Sequence, residues 1–187
     1  MKLMTGVILM SLALAAPACA GSDKDLAIND PGLKGAGKLA VTSPAFPDGG
    51  TIPDRYSSYG QSVSPPLAWT GQPQGTRGYA LVVQDPDAPT PKPFIHWMIW
   101  NVPAGATKLE EGKVPEGSAQ GKLMFVGTVG YMGPKPPAGP AHHYHVQLFA
   151  LDQPLALADG GDYGALTAAM KGHVLASGEL VGLYQKH

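Results

Sequence analysis

A chain of 187 residues accommodates one domain of ordinary size and a leader, with too little left over for a second well-built core. The formal charge is only −1, and its lysines and arginines are scattered rather than clustered, so the electrostatic footprint of a nucleic-acid binder is missing. The 25 glycines and 19 prolines approach the level at which disorder becomes a concern, but here they punctuate apolar runs.

The chain opens MKLMTGVILMSLALAAPACA, with Lys2 ahead of an apolar stretch over residues 3–16 and small residues at Ala18 and Ala20. This pattern predicts a secretory signal peptide over residues 1–20, cleaved after Ala20, and therefore a periplasmic or secreted protein. The apolar run is short for a bilayer span and no stop-transfer pattern follows, so no transmembrane anchor is expected in the mature chain. Cleavage would remove Cys19, the sole cysteine, leaving neither disulfide nor thiolate metal site. The alternative is a lipoprotein anchored through Cys19, because residues 16–19 loosely resemble a lipobox in which Ala16 replaces the favoured Leu. Residues 21–37 are polar and Gly-rich and read as a flexible lead-in, with the folded domain over residues 38–187.

Strands are predicted next, weakly over residues 39–43 and firmly over residues 79–84, 97–102 and 143–151, where short branched or aromatic runs are bounded by turn residues. Proline-rich connections such as Ser64-Pro65-Pro66-Leu67 suit irregular loops around a β-sandwich. A helix is expected over residues 164–171, stopping at Gly172, whereas residues 174–184 fit helix or strand equally. Trp69, Trp97 and Trp100, at strand positions, read as core rather than as lipid contacts.

Polar chemistry concentrates at the ends of predicted strands. Asp85-Pro86-Asp87-Ala88-Pro89 follows directly on the strand ending at Gln84, and His96 comes soon after. Prolines lack the ladder donor and fix φ, so the chain turns there. The second segment, residues 130–151, begins with a Gly- and Pro-rich loop whose amides could cradle an anion. If its strand starts near His142, a period of two places His142 and Tyr144 on one face and His143 and His145 on the other. The histidines are then no single cluster, and His143 with His145 alone are too few to hold a metal.

These segments resemble the two signatures of the phosphatidylethanolamine-binding protein family, particularly its bacterial kinase-inhibitor-like branch. The first matches residues 85–89 with His96-Trp97, the second residues 130–137 with His142-His143-Tyr144, and weaker similarity extends the match over residues 38–185. The resemblance implies a mainly β fold, a sandwich with Greek-key connections and a few peripheral helices. It also implies a pocket formed by Asp85, His96, His142 and Tyr144, with Asp87, Gly133 and Pro134 lining it. Many members carry Arg where this chain has His143, which puts any ion pair made by that Arg in doubt.

Such a pocket suits a small phosphorylated or anionic ligand, such as a phospholipid head group or a phosphoethanolamine-like metabolite. The histidines, Tyr144 and loop amides would donate, and Asp85 would orient a histidine or seat an ammonium. No cofactor, metal or catalytic residue is expected. A hydrolase using Asp85, His96 and His142 to activate water is the rival reading, although Ser62 and Ser64 lack the setting of a nucleophile elbow. A protein partner, including a protease outside the cytoplasm, is the third.

Overall fold

The computed structural model describes residues 22–123 and 127–187; the expected signal peptide lies outside them. The strands are β1 (Gly37–Lys38), β2 (Ala40–Thr42), β3 (Gly50–Thr51), β4 (Leu67–Thr70), β5 (Gly78–Asp85), β6 (Phe94–Pro103), β7 (Lys108–Leu109), β8 (Ala119–Gln120), β9 (His142–Leu151) and β10 (Val174–Tyr184), with a helix α1 (Tyr163–Met170) before the last. The fold is mainly β. A large sheet runs in the order β1-β10-β9-β5-β6-β8, with β3 also pairing to β10, and a small sheet runs β2-β4-β7.

The large sheet is covered on both faces, and this explains the uninterrupted apolar run of β5, all of whose residues are buried. On one face Leu81, Val83, Ile99 and Leu148 pack with Val41, Leu67, Trp69 and Leu109 of the small sheet. On the other, Val82, Met98, Trp100 and Phe149 lie beneath Leu166 and Met170 of α1 and Leu33 of the N-terminal segment. All three tryptophans are buried in this core. The ambiguous segment 174–184 is a strand: from Ala176 onward every second residue is buried, the period of a sheet and not of a helix.

Residues 22–37 are not a flexible lead-in. They form 3₁₀ turns at Asp23–Asp25, Ala27–Asn29 and Pro31–Leu33, then enter β1 beside β10. Leu26, Ala27 and Leu33 are buried. Two buried glutamines of the sheet fasten the segment: the Ala27 amide donates to Gln84 Oε1 and the Ile28 amide to Gln147 Oε1, both at 2.7 Å. At Gly35 a Cβ would lie 2.3 Å from the Leu175 backbone, so only glycine lets the chain pass so close to β10. Composition suggested a linker because the burial rests on a few apolar residues set among turn formers, and the partners that hold them lie far away in sequence.

The packing predicts that Leu33→Ala lowers stability by about 2–5 kcal/mol in urea unfolding, the usual cost of a truncated core leucine. A change near zero would mean that the segment is only loosely attached.

Candidate functional site

Strand β5 is paired with β6 on one side and β9 on the other, so its end meets the beginnings of both. Asp85, the last residue of β5, is therefore brought to His96 of β6 and His142 of β9. The register places Gln84 opposite Ile95 but Val83 opposite Trp97, which makes His96 the extra residue of a β-bulge. The bulge changes the phase of β6, since Ile95 packs in the core under α1 and Trp97 in the core between the sheets. His96 is turned to the sheet end, with 4 % of its surface exposed.

Asp85 is 3 % exposed and fully engaged. Its Oδ1 accepts the amides of Asp87 at 2.8 Å and Ala88 at 3.1 Å, an arrangement that shapes the proline-rich turn. Its Oδ2 lies 2.8 Å from His142 Nδ1. Burial, with the Asp85 charge nearby, raises the Tyr144 phenol far above its ordinary range, so the hydroxyl stays protonated.

A carbonyl or carboxylate oxygen can only accept, so each histidine carries its proton on Nδ1. His142 Nδ1–H donates to Asp85, and His96 Nδ1–H donates to the Met132 carbonyl at 3.0 Å. Both Nε2 atoms remain. The Nε2 of His96 stands 3.9 Å from Asp85 Oδ2, too far for a hydrogen bond. Burial pushes the His96 pKa below the ordinary imidazole range, outweighing the Met132 and Gly133 carbonyls and the Asp85 charge, which act in the other direction. The ring also packs edge-on to Tyr144, with centroids 5.0 Å apart.

The histidines and Asp85 form the floor of an open cavity of about 500 Å³, within the range typical of small-molecule sites. Its walls include Ala88, Pro89, Phe94, Met132 and Pro136, while Lys135 and Tyr59 stand at the mouth. Lys135 is exposed and brings the cavity a positive charge. Neither it nor the apolar wall was singled out from the sequence. The signal available was the position of Lys135 inside the second signature, next to residues already suspected.

Several expected lining residues are placed elsewhere. Asp87 faces away from the cavity: its Oδ2 takes both the backbone amide and the ring Nδ1 of His143, each at 2.7 Å. Thus His143 does make a carboxylate pair at the position where relatives carry Arg. Burial would raise the Asp87 pKa, but the bonds and charge of His143 together bring it below the usual carboxylate value. Gly133 is buried behind the site, where a Cβ would meet the Tyr56 carbonyl at 2.3 Å. Pro134 and Tyr144 border a narrow apolar void of about 20 Å³ behind His96, room for roughly one water.

The loop amides are also spent internally. Met132 N–H donates to the His96 carbonyl and Gly133 N–H to Ser62 Oγ at 3.0 Å, while the Gly133 carbonyl accepts from the Ser58 hydroxyl at 2.8 Å. The Gly-Pro loop is thus a brace, stitched to residues 56–62, rather than a nest of free donors. Ser62 serves that brace. The hydroxyls lining the cavity are those of Thr90, which donates to the Lys92 carbonyl at 2.6 Å, and Tyr59, which donates to the Pro136 carbonyl at 2.7 Å.

This mainly β domain, with a histidine and carboxylate pocket at one end of its large sheet, has clear relatives. The family profile of phosphatidylethanolamine-binding proteins matches residues 42–185. A UPF0098 protein of Methanothermobacter thermautotrophicus is 46 % identical over 147 residues, spanning 76 % of this chain and 95 % of the relative. The crystal structure of a phosphatidylethanolamine-binding protein homologue from Chlamydia trachomatis superposes with a TM-score of 0.75 at 35 % identity, covering 80 % of this chain and 99 % of the other. Escherichia coli YbcL, described as a member of the mammalian family, gives the same TM-score at 29 % identity, with 80 % and 99 % covered. The chain belongs to the phosphatidylethanolamine-binding protein family.

The buried His96 makes a prediction about acid. The unfolded chain takes up a proton on this ring near pH 6.5, before the folded protein does, so the stability it secures is complete above that pH and is lost as pH falls below it. Urea midpoints measured at pH 7.5 and 5.5 are expected to fall further in the wild type than in His96→Asn; equal losses would show that other groups govern the acid response.

Proposed function

We propose that this is an exported binding protein whose pocket takes a phosphate-bearing or otherwise anionic group, with a phosphoethanolamine-like head group or metabolite as the leading ligand class, and releases it unchanged. The observation that carries this reading is the Nε2 pair of His96 and His142 at the floor of an open cavity with Lys135 at its mouth. Each imidazole is fixed from behind by an acceptor on Nδ1, so its other nitrogen is preorganised toward a ligand. The apolar wall favours a ligand with a small carbon skeleton attached to the polar group.

Binding without turnover is favoured because the cavity presents no activated nucleophile among the described residues. The Thr90 and Tyr59 hydroxyls are each committed to a backbone carbonyl. One observation supports the rival reading: His142 with Asp85 behind it has the form of a general base that could activate water. Release of inorganic phosphate from a panel of phosphomonoesters, lost in Asp85→Ala, would establish the hydrolase in its place.

Export is supported by the pattern of residues 1–20. A periplasmic or secreted protein begins at Gly21, whereas an acylated N-terminal peptide at Cys19 would make it a lipoprotein; the terminal peptide of protein isolated from its own envelope distinguishes them. No helix of the described residues is long and apolar enough to cross a membrane.

The pocket reading predicts that His142→Ala weakens phosphoethanolamine binding by about 10-fold or more in titration calorimetry, the effect of losing a hydrogen bond to a charged group. Unchanged affinity would remove His142 from the site and the pocket with it.

A further inference from the structure

The donors and acceptors of this pocket are not interchangeable, and their inventory says what a ligand has to bring. Asp85 is engaged by two turn amides on Oδ1 and by the His142 ring on Oδ2. The amides of Met132 and Gly133 are used within the brace. Of the buried polar side chains at the floor, His142 and His96 each have an Nε2 with no partner in hydrogen-bonding geometry among the described residues, the more deeply buried ring being that of His96, 4 % exposed. The His96 Nδ1 proton is held by the Met132 carbonyl, so in the neutral ring Nε2 is a lone pair and can only accept. An oxyanion oxygen without a proton, placed there, would set lone pair against lone pair beside a buried carboxylate.

We infer that His96 is the specificity-determining residue of this pocket: its free Nε2 selects a ligand that carries its own proton, so the site prefers a phosphomonoester monoanion to sulfate esters and phosphodiesters. The inference rests on the anion-pocket reading above. A phosphomonoester with one P–OH donates that proton to His96 Nε2 and accepts at another oxygen from the Lys135 ammonium. A sulfate ester has the same charge and nearly the same shape but no proton to give, and a phosphodiester likewise. The titratable groups facing His96 are Asp85 of β5 and His142 and Tyr144 of β9, and beside them stand the Phe94 ring and the carbonyls of Met132 and Gly133. None supplies a donor to Nε2. The low affinity of the buried ring for a second proton acts in the same direction, keeping the acceptor available at neutral pH.

The test is calorimetry on the mature protein with methyl phosphate, dimethyl phosphate and methyl sulfate at pH 6.0, where about half of a phosphomonoester still carries its last proton. Methyl phosphate is expected to bind at least about tenfold tighter than the other two, the effect of leaving a buried acceptor unsatisfied. Its advantage over methyl sulfate is expected to shrink toward unity at pH 8.0. Lys135→Met should weaken all three ligands alike and leave the ratio in place. In ¹⁵N-histidine spectra, His96 should show the Nδ1–H tautomer with an unprotonated Nε2 that shifts on addition of methyl phosphate. Comparable affinities at pH 6.0, an advantage that grows with pH, a ratio abolished by Lys135→Met, or a protonated Nε2 on His96 would each overturn the inference while leaving the anion pocket standing. If none of the three anions binds and phosphoethanolamine does not bind either, the anion-pocket reading fails and this inference with it.

Discussion

The site depends on a single buried carboxylate. Asp85 sits where three backbone segments converge, and its oxygens fasten two of them: Oδ1 the turn that follows β5 and Oδ2 the His142 ring of β9. Removing an ionised carboxylate from water costs several kcal/mol even in a relaxed protein, and only a full set of donors offsets it. The donors therefore cannot be optional. The turn of residues 85–89 and the tautomer of His142 follow from the need to satisfy one group, and the orientation of the pocket floor follows from them.

That convergence is a property of the sheet. Because β5 is central, with β6 and β9 antiparallel on either side, the residue ending β5 necessarily meets those opening its neighbours. His142 reaches it by ordinary strand alternation. His96 reaches it through a bulge, a local defect that takes one residue out of the alternation while keeping Ile95 and Trp97 in opposite cores. Burial of the large sheet on both faces makes this arrangement stiff, since a shift of β6 would disturb two packed cores at once. The brace from residue 130 onward adds a second hold: Met132 exchanges hydrogen bonds with His96 through both its amide and its carbonyl.

What the sequence reveals of this design depends on how local each determinant is. Strands β5, β6 and β9 are legible because continuous apolar runs between turn residues have few other solutions, and the bend at Asp85 is legible because prolines forbid extension there. The separation of His142 and Tyr144 from His143 and His145 follows from strand period alone. The bulge at His96 leaves no such trace, as its cause is the pairing of β6 with β5 and not the identity of residues 95–97. The packing of residues 22–36 is hidden for the same reason: its anchors are Gln84 and Gln147, which look like ordinary polar positions until the segment crosses them. The spent amides of the Gly-Pro loop depend on Ser62, some seventy residues earlier. Short strands such as β7 and β8 carry no pattern at all.

Two neighbouring histidines show how little composition says about energetic meaning. His142 and His143 are adjacent, and each donates through Nδ1 to an aspartate of the same turn at nearly the same distance, 2.8 Å and 2.7 Å. Their side chains are 11 % and 52 % exposed. The outer pair, with Asp87, is screened by water and of the kind that contributes at most about 1 kcal/mol. Its value is positional, because it ties the turn to the edge of β9 by a backbone amide as well as a ring. In the inner pair, loss of either partner strands a buried polar group, a defect that costs about 3–5 kcal/mol in comparable buried pairs. The one-residue alternation of a β-strand decides which histidine becomes part of the pocket and which becomes a surface clasp, and it does so with the same chemistry on both sides of the sheet.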